Sequence, residues 1–166
     1  PVDVKLANGK SSATALRDFF QPIVDKIRAN GFTGIIWVPG ACWQQHYFDY
    51  VQYPINDPLD NIGYAVHCYP GWYGSASGTT DNTNKNVMRS SFESNVPVVK
   101  TNPVIVTEID WSPALPSGEG KYNEWGQWIP DNYGTWGTGT TSGFGNAFRY
   151  IHDYYGNVSM VLQGSG

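Results

Sequence analysis

Four short apolar runs, at residues 34–40, 62–70, 103–109 and 157–162, alternate with stretches of helical periodicity, and that alternation leaves few folds open. Each run is rich in β-branched or aromatic residues and is bounded by Asn, Pro or Gly, as strands embedded in a sheet are. The third, Pro103-Val-Ile-Val-Thr-Glu108-Ile109, stays apolar until just before its end, the mark of a strand covered on both faces. Before the first run, Leu16, Phe20, Ile23 and Ile27 recur at spacings of three and four, with Ser11 or Ser12 available as cap and Gly31 as terminator. This predicts an amphipathic helix over 11–31, kinked or briefly broken near 18–21 by Pro22, which removes one backbone donor. Helices are also expected over 84–94 and over 142–155, where Phe144, Phe148, Ile151 and Tyr155 share a face and Gly156 is placed to end the element. Strands alternating with helices imply an α/β fold with a parallel sheet and right-handed crossovers.

The chain has 166 residues, enough for one domain with a core but short of the roughly 250 usual for an eight-stranded β/α barrel. About four β/α units fill nearly all of it, which is half of such a barrel. Residues 112–141 break the economy: they carry three Trp and many Gly without periodicity, and a loop this long in a compact domain is expected to be functional.

Composition removes several function classes. A net charge of −4 with ten Lys and Arg argues against nucleic acid, whose ligands concentrate positive charge. No apolar run approaches the roughly 18 residues of a membrane span. Cys42 and Cys68 are too few for a disulfide framework and are expected to be buried free thiols. No cofactor or metal site is implied. Asn157-Val-Ser159 matches a glycosylation sequon, a short and unspecific pattern. No signal peptide is visible, but the chain opens on Pro1 rather than Met.

The chemistry gathers at strand ends. Side chains alternate along a strand, so Ala65, His67 and Tyr69 are expected on one face of the second strand, and Val104, Val106 and Glu108 on one face of the third. If both faces point into a barrel, His67, Tyr69 and Glu108 meet at its top. An imidazole and a phenol donating to a carboxylate keep it ionised and aimed, which is the state a sugar-cleaving nucleophile needs.

With those residues in view, the chain resembles the C-terminal half of a glycoside hydrolase family 5 enzyme, a group of retaining β-glycanases that includes many cellulases. Val-Thr-Glu108 resembles the family's strand-seven nucleophile motif, and His67-Cys-Tyr69 its His-x-Tyr on strand six. Trp37-Val-Pro39-Gly40-Ala-Cys-Trp43 is similar to the strand-five segment. The likeness implies the second half of a (β/α)8 barrel as one partial catalytic domain over residues 1–166. It implies a retaining endo-β-1,4-glucanase acting by double displacement on a β-glucan, secreted, periplasmic or cell-surface, with mannan, xyloglucan or mixed-linkage glucan as alternative substrates. A non-catalytic carbohydrate-binding protein is the rival reading.

The family's acid/base Glu, in an Asn-Glu-Pro motif on strand four, has no counterpart here; Pro1 stands where that motif's Pro would fall. The resemblance therefore implies a partner, the N-terminal half of the barrel, without which the chain is expected to be inactive. The family's strand-eight Trp is also unmatched, with Gln163 or a residue beyond the end as its expected substitute. Trp43, Trp72 and Trp111 follow three of the strands and are the expected sugar platforms, although a loop Trp can equally pack beneath a neighbour. Gln44 and His46 are expected to reach sugar hydroxyls. Trp37, inside its strand, is expected in the core, and Trp125, Trp128 and Trp136 wall the cleft or pin the long loop.

Overall fold

The computed structural model describes residues 13–69, 71–75, 83–109, 120–122, 128–130 and 143–161. Helix α1 (Ala15–Ala29) leads into β1 (Ile36–Pro39), and two one-turn helices, α2 (Ala41–Gln44) and α3 (Asp49–Gln52), precede β2 (Ile62–Cys68). Then come α4 (Lys85–Asn95), a 3-10 turn (Pro97–Lys100), β3 (Val104–Ile109), the short strands β4 (Gly120–Tyr122) and β5 (Trp128–Pro130), α5 (Gly143–Tyr155) and β6 (Val158–Met160). The main sheet is parallel throughout, in the order β1-β2-β3-β6. Four adjacent parallel strands joined through helices form an arc of a β/α barrel, as the alternation predicts.

Helix α1 lays Leu16 and Val24 on the core with Phe20 and Ile27 half-buried beside them, one stripe of a helix with period 3.6. It runs through Pro22 without the break expected at 18–21. Asp18, whose carbonyl Pro22 leaves without a helical partner, lies with Pro22 on the exposed side, where water can take that carbonyl. Gly31, at φ +86°, closes the helix: its N–H donates to Arg28 O at 2.9 Å, and the N–H of Phe32 reaches Ile27 O at 3.4 Å. That pair of bonds is the Schellman arrangement, which needs a left-handed residue where Gly31 stands. Beyond it, Arg28 forks onto Asp57, Nε to Oδ1 and Nη2 to Oδ2, both at 2.8 Å, with both side chains buried. This ties the helix end to the turn before β2.

The core lies between the sheet and its helices. Ile36, Val38, Tyr64, Val66, Cys68, Val104, Val106 and Val158 meet Met88 and Phe92 of α4 and Phe144, Phe148 and Ile151 of α5. Cys68 is a buried free thiol, as expected, and Cys42 is free but half-buried. Trp37 corrects an expectation, for it is 37% exposed and belongs to the opposite face of the sheet. Its ring lies across Gly63, where any added methyl would collide with it.

Three further features complete the picture. The crossover from β1 to β2 has no long helix; Tyr47 and Tyr50, both buried, fill that part of the outer layer. The 112–141 segment is not wholly irregular, because β4 and β5 pair antiparallel, Tyr122 opposite Trp128. At the sequon, the Asn157 amide donates to Val99 O and Asn102 O, both at 2.8 Å, so the side chain is an internal clip rather than an open acceptor for a glycan. Among the described residues no helix is long and apolar enough to cross a membrane.

Candidate active site

Three polar side chains converge at the carboxyl ends of β2 and β3, held by a fault in the sheet. From Tyr64↔Val104 to Val66↔Val106 the two strands pair one to one, but His67 then pairs with Glu108 and the register slips by one residue. Thr107 is the extra residue, a β-bulge in a parallel pair, with its Oγ1 3.5 Å from Val66 O. Strict alternation would put Glu108 on the face of Val104 and Val106, which are fully buried against the helices. The expected grouping of those three residues is therefore wrong: the bulge moves Glu108 to the face of His67.

There Tyr69 Oη donates to Glu108 Oε2 at 2.6 Å, within the range of a charge-assisted bond. His67 Nδ1 lies 3.1 Å from the same oxygen. The His67 pKa is lowered: burial of the ring disfavours the imidazolium, and this outweighs the opposing pull of Glu108. A neutral ring beside a carboxylate carries its proton on Nδ1 and donates it. The His67 and Tyr69 rings stand edge to face, 6.5 Å apart. Glu108 keeps a side chain 40% exposed, open to a ligand.

The surrounding loops are shaped by left-handed backbone. Cys42, Trp43 and Gln44 have φ of 49°, 53° and 63°, so α2 is a left-handed turn and not a right-handed helix. Tyr73, after β2, has φ 51°. These four are all but one of the described non-glycine residues with positive φ, and all lie just beyond the carboxyl ends of β1 and β2. Backbone strain of this kind persists where the surroundings over-determine it, and it concentrates at binding sites.

Of the other expected site residues, Trp43 projects from the left-handed turn and is 61% exposed. Gln44 and His46 belong to the same segment, both half-buried; the His46 ring tilts against Phe48 at 5.4 Å. Trp72 is half-buried against the core and meets the Tyr69 ring edge-on at 5.2 Å, so it buttresses the phenol that holds Glu108. Trp111, Trp125, Trp136 and Gln163 lie outside the described residues, as does the side chain of Trp128. Among the described residues no cluster of three His, Cys, Asp or Glu is gathered to hold a metal.

Sequence reasoning missed the buried tyrosines beneath this surface. Tyr50 Oη donates to Pro39 O at 2.9 Å, Tyr47 Oη to Ala65 O, and Tyr73 Oη reaches both His67 O and Gln45 O. The dense aromatic stretch from Trp43 to Tyr53, and Tyr73 flanked by Gly71 and Gly74, are the signals that pointed to them.

Known proteins share this fold. A native β-glucanase from Saccharophagus degradans superposes with a TM-score of 0.65 at 21% identity, covering 96% of this chain and 41% of that one. The β-glucanase from the same organism in complex with cellotetraose gives 0.62 at 18% identity, covering 95% and 41%. A glycoside hydrolase family 5 enzyme from Prevotella bryantii, in complex with a xyloglucan tetradecasaccharide, gives 0.53 at 16% identity, covering 93% and 45%. At these identities the likeness is one of fold, and this chain spans about two-fifths of the length of those structures. No curated protein matches it. Residues 4–139 match the cellulase family, glycosyl hydrolase family 5, and the chain, an α/β segment of that family's TIM barrel, belongs to it.

Proposed function

We propose that this glycoside hydrolase chain supplies the nucleophile half of a retaining endo-β-1,4-glucanase. The observation that carries the reading is the convergence of Tyr69 Oη and His67 Nδ1 on one oxygen of Glu108 at the carboxyl ends of adjacent parallel strands. Catalytic groups of β/α barrels sit at that end. With Oε2 held by two donors, Oε1 attacks the anomeric carbon. A bond forms between that carbon and Glu108 while the glycosidic C–O bond breaks, and a second carboxyl group protonates the leaving oxygen. The second carboxyl group, now a carboxylate, takes a proton from water as the water oxygen bonds to the anomeric carbon and the bond to Glu108 breaks; the two inversions give net retention, and Oε2, still held by Tyr69 and His67, steadies the departing carboxylate.

The acid/base belongs to a complementary N-terminal barrel half. The sheet face and edge toward it suit such a partner: Ile35 just before β1, Trp37 on its inner side, and Phe19 and Ile23 on α1 are large apolar groups at 36% to 55% exposure. The family match and a structural relative that binds cellotetraose support a β-glucan substrate. Trp43, Trp72 and Trp111 would stack on its sugars, with Gln44 and His46 reaching hydroxyls. Membership of a family that acts on such polymers supports a secreted, periplasmic or cell-surface location.

The test is Glu108→Gln in the protein carrying both barrel halves. Turnover of a soluble β-glucan should drop by several orders of magnitude, on the order of what loss of a catalytic nucleophile costs, with the circular dichroism spectrum unchanged. Near-normal hydrolysis by that variant would remove Glu108 from the mechanism. Mixing this chain with a fragment carrying the acid/base strand separates the enzyme from a non-catalytic sugar binder, since activity returns in one case only.

A further inference from the structure

We propose that Tyr47 and Tyr73 form a two-point clamp that fixes the left-handed turn bearing Trp43 against the end of β2, so that they act as positioning residues for sugar bound beside Glu108; this role in sugar placement rests on the glycosidase reading. The two phenols do the same thing one step apart. Tyr47 Oη donates to Ala65 O and lies 3.4 Å from Gln44 O. Tyr73 Oη lies 3.1 Å from His67 O and 3.2 Å from Gln45 O. Consecutive carbonyls of the turn are thus bridged to alternate carbonyls of the strand that carries His67.

A phenol has one proton, so each hydroxyl is shared between two acceptors. Its removal would leave pairs of carbonyl dipoles facing each other without a donor, in an interior where an unmade bond is costly. Both rings are buried, Tyr47 fully and Tyr73 nearly so, and burial raises the pKa of each phenol far enough to keep it a donor at any working pH. Tyr73 also packs edge-on between Trp72 at 6.4 Å and Phe92 at 5.0 Å, so its hydroxyl is aimed by a ring that cannot swing away.

The clamp has something to hold. Three consecutive L-residues in left-handed backbone are unfavourable by roughly 1–2 kcal/mol each, and Cys42, Trp43 and Gln44 occupy that region together. The turn's own backbone bonds gather on two amides and one return contact: Gln45 N–H to Ala41 O at 2.9 Å and Cys42 O at 3.1 Å, His46 N–H to Ala41 O at 3.2 Å, and Ala41 N–H to His46 O at 3.0 Å. Its product is an exposed indole on a fixed stalk, next to the strand that ends in His67 and Tyr69. A sugar platform is useful only if its height and angle are fixed relative to the attacking carboxylate.

Tyr73→Phe and Tyr47→Phe keep the rings and delete only the hydroxyls. Hydrogen exchange of the Gln45 and His46 amides should then accelerate at least about tenfold, the scale of one lost buried bond, while amides of the β2–β3 ladder keep their rates. Binding of cellotetraose to the protein carrying both barrel halves should weaken several-fold in each variant. Trp43→Ala should weaken it too, and Tyr73→Phe added to Trp43→Ala should cost nothing further, because the hydroxyl acts through the indole. Uniform acceleration of exchange across the chain, or unchanged exchange at Gln45 and His46, overturns the clamp. Unaltered binding by a variant whose turn has loosened, or additive losses in the double variant, overturns its role in placing sugar. If wild-type protein does not bind cellotetraose at all, the glucanase reading fails and sugar placement fails with it, while the exchange rates still decide whether the clamp exists.

Discussion

On the proposed double displacement at Glu108, removing the Tyr69 hydroxyl should slow the second chemical step more than the first. In Tyr69→Phe the ring still packs on Trp72, and what is lost is one O–H donated to Glu108 Oε2 at 2.6 Å. A hydrogen bond to a charged group contributes about 1.5–3 kcal/mol. The Glu108 side chain is 40% exposed and His67 Nδ1 remains at 3.1 Å, so water and imidazole recover part of it and the lower figure applies. At about 1.4 kcal/mol per tenfold, the loss is worth roughly one order of magnitude in rate. Its sign differs between steps. While Glu108 attacks, its charge is being spent in the new bond, and a donor that stabilised that charge is of little help. When water attacks the anomeric carbon and the bond to Glu108 breaks, negative charge returns to the carboxylate and is shared with Oε2, and the missing donor raises the barrier. With an aryl β-cellobioside bearing a good leaving group, kcat should fall about tenfold, a change set by the lost charge-assisted bond. The value of kcat/KM should hold within a few-fold, and rapid mixing should show a burst of phenolate as glycosyl-enzyme accumulates. A parallel drop in kcat and kcat/KM with no burst would refute the assignment of Tyr69 to the departing carboxylate.

Three further outcomes follow from single contacts. Gly40→Ala drives a methyl into the His46 carbonyl and the Tyr47 ring, and should destabilise the fold by about 1–3 kcal/mol through overpacking, read by urea unfolding. Because burial lowers the His67 pKa below 6.5, the unfolded chain takes up a proton in mild acid that the folded chain refuses; stability should fall as pH drops below about 6.5, and His67→Gln should flatten that slope. The fork from Arg28 holds the Asp57 carboxyl down to about 2, so its stabilisation is complete above the ordinary 3.8 and is lost as pH falls from there toward 2. Asp57→Asn should therefore lower the melting temperature at neutral pH and narrow the gap to wild type in strong acid.

The strand pattern was readable because burial on two faces forces unbroken apolar runs, and residues 62–68 and 104–109 are such runs in sequence and structure alike. Helix ends were readable where one residue type does the work, as at Gly31 and Gly156, both at positive φ. What sequence could not carry was register. Alternation counts residues, and it cannot know that Thr107 is passed over by the ladder; the bulge is a tertiary choice between two pairings that the same letters permit. Trp37 went astray for a related reason, since a strand with two apolar faces does not say which one the helices cover. The left-handed turn at Cys42 to Gln44 was invisible because no Gly or Asn marks the positions, and beside the turn's own backbone bonds one hydroxyl that reaches its carbonyls comes from Tyr73, about thirty residues away.

That distance bears on how the site is built. The carboxylate, the imidazole and the phenol sit on two neighbouring strands, and the turn that offers Trp43 is tied to one of them through side chains buried among the same helices as the sheet. Each of these contacts is made within the chain, so the placement of Glu108 does not wait on a partner. On the proposed function, a complementary half would bring the acid and close the inner face over Trp37, yet find Glu108 already held. Assembly in that order would be a rigid docking rather than a mutual folding. Bound partner should then protect the amides near Ile35 and Trp37 strongly from exchange, and leave those near His67 and Glu108 almost as they were.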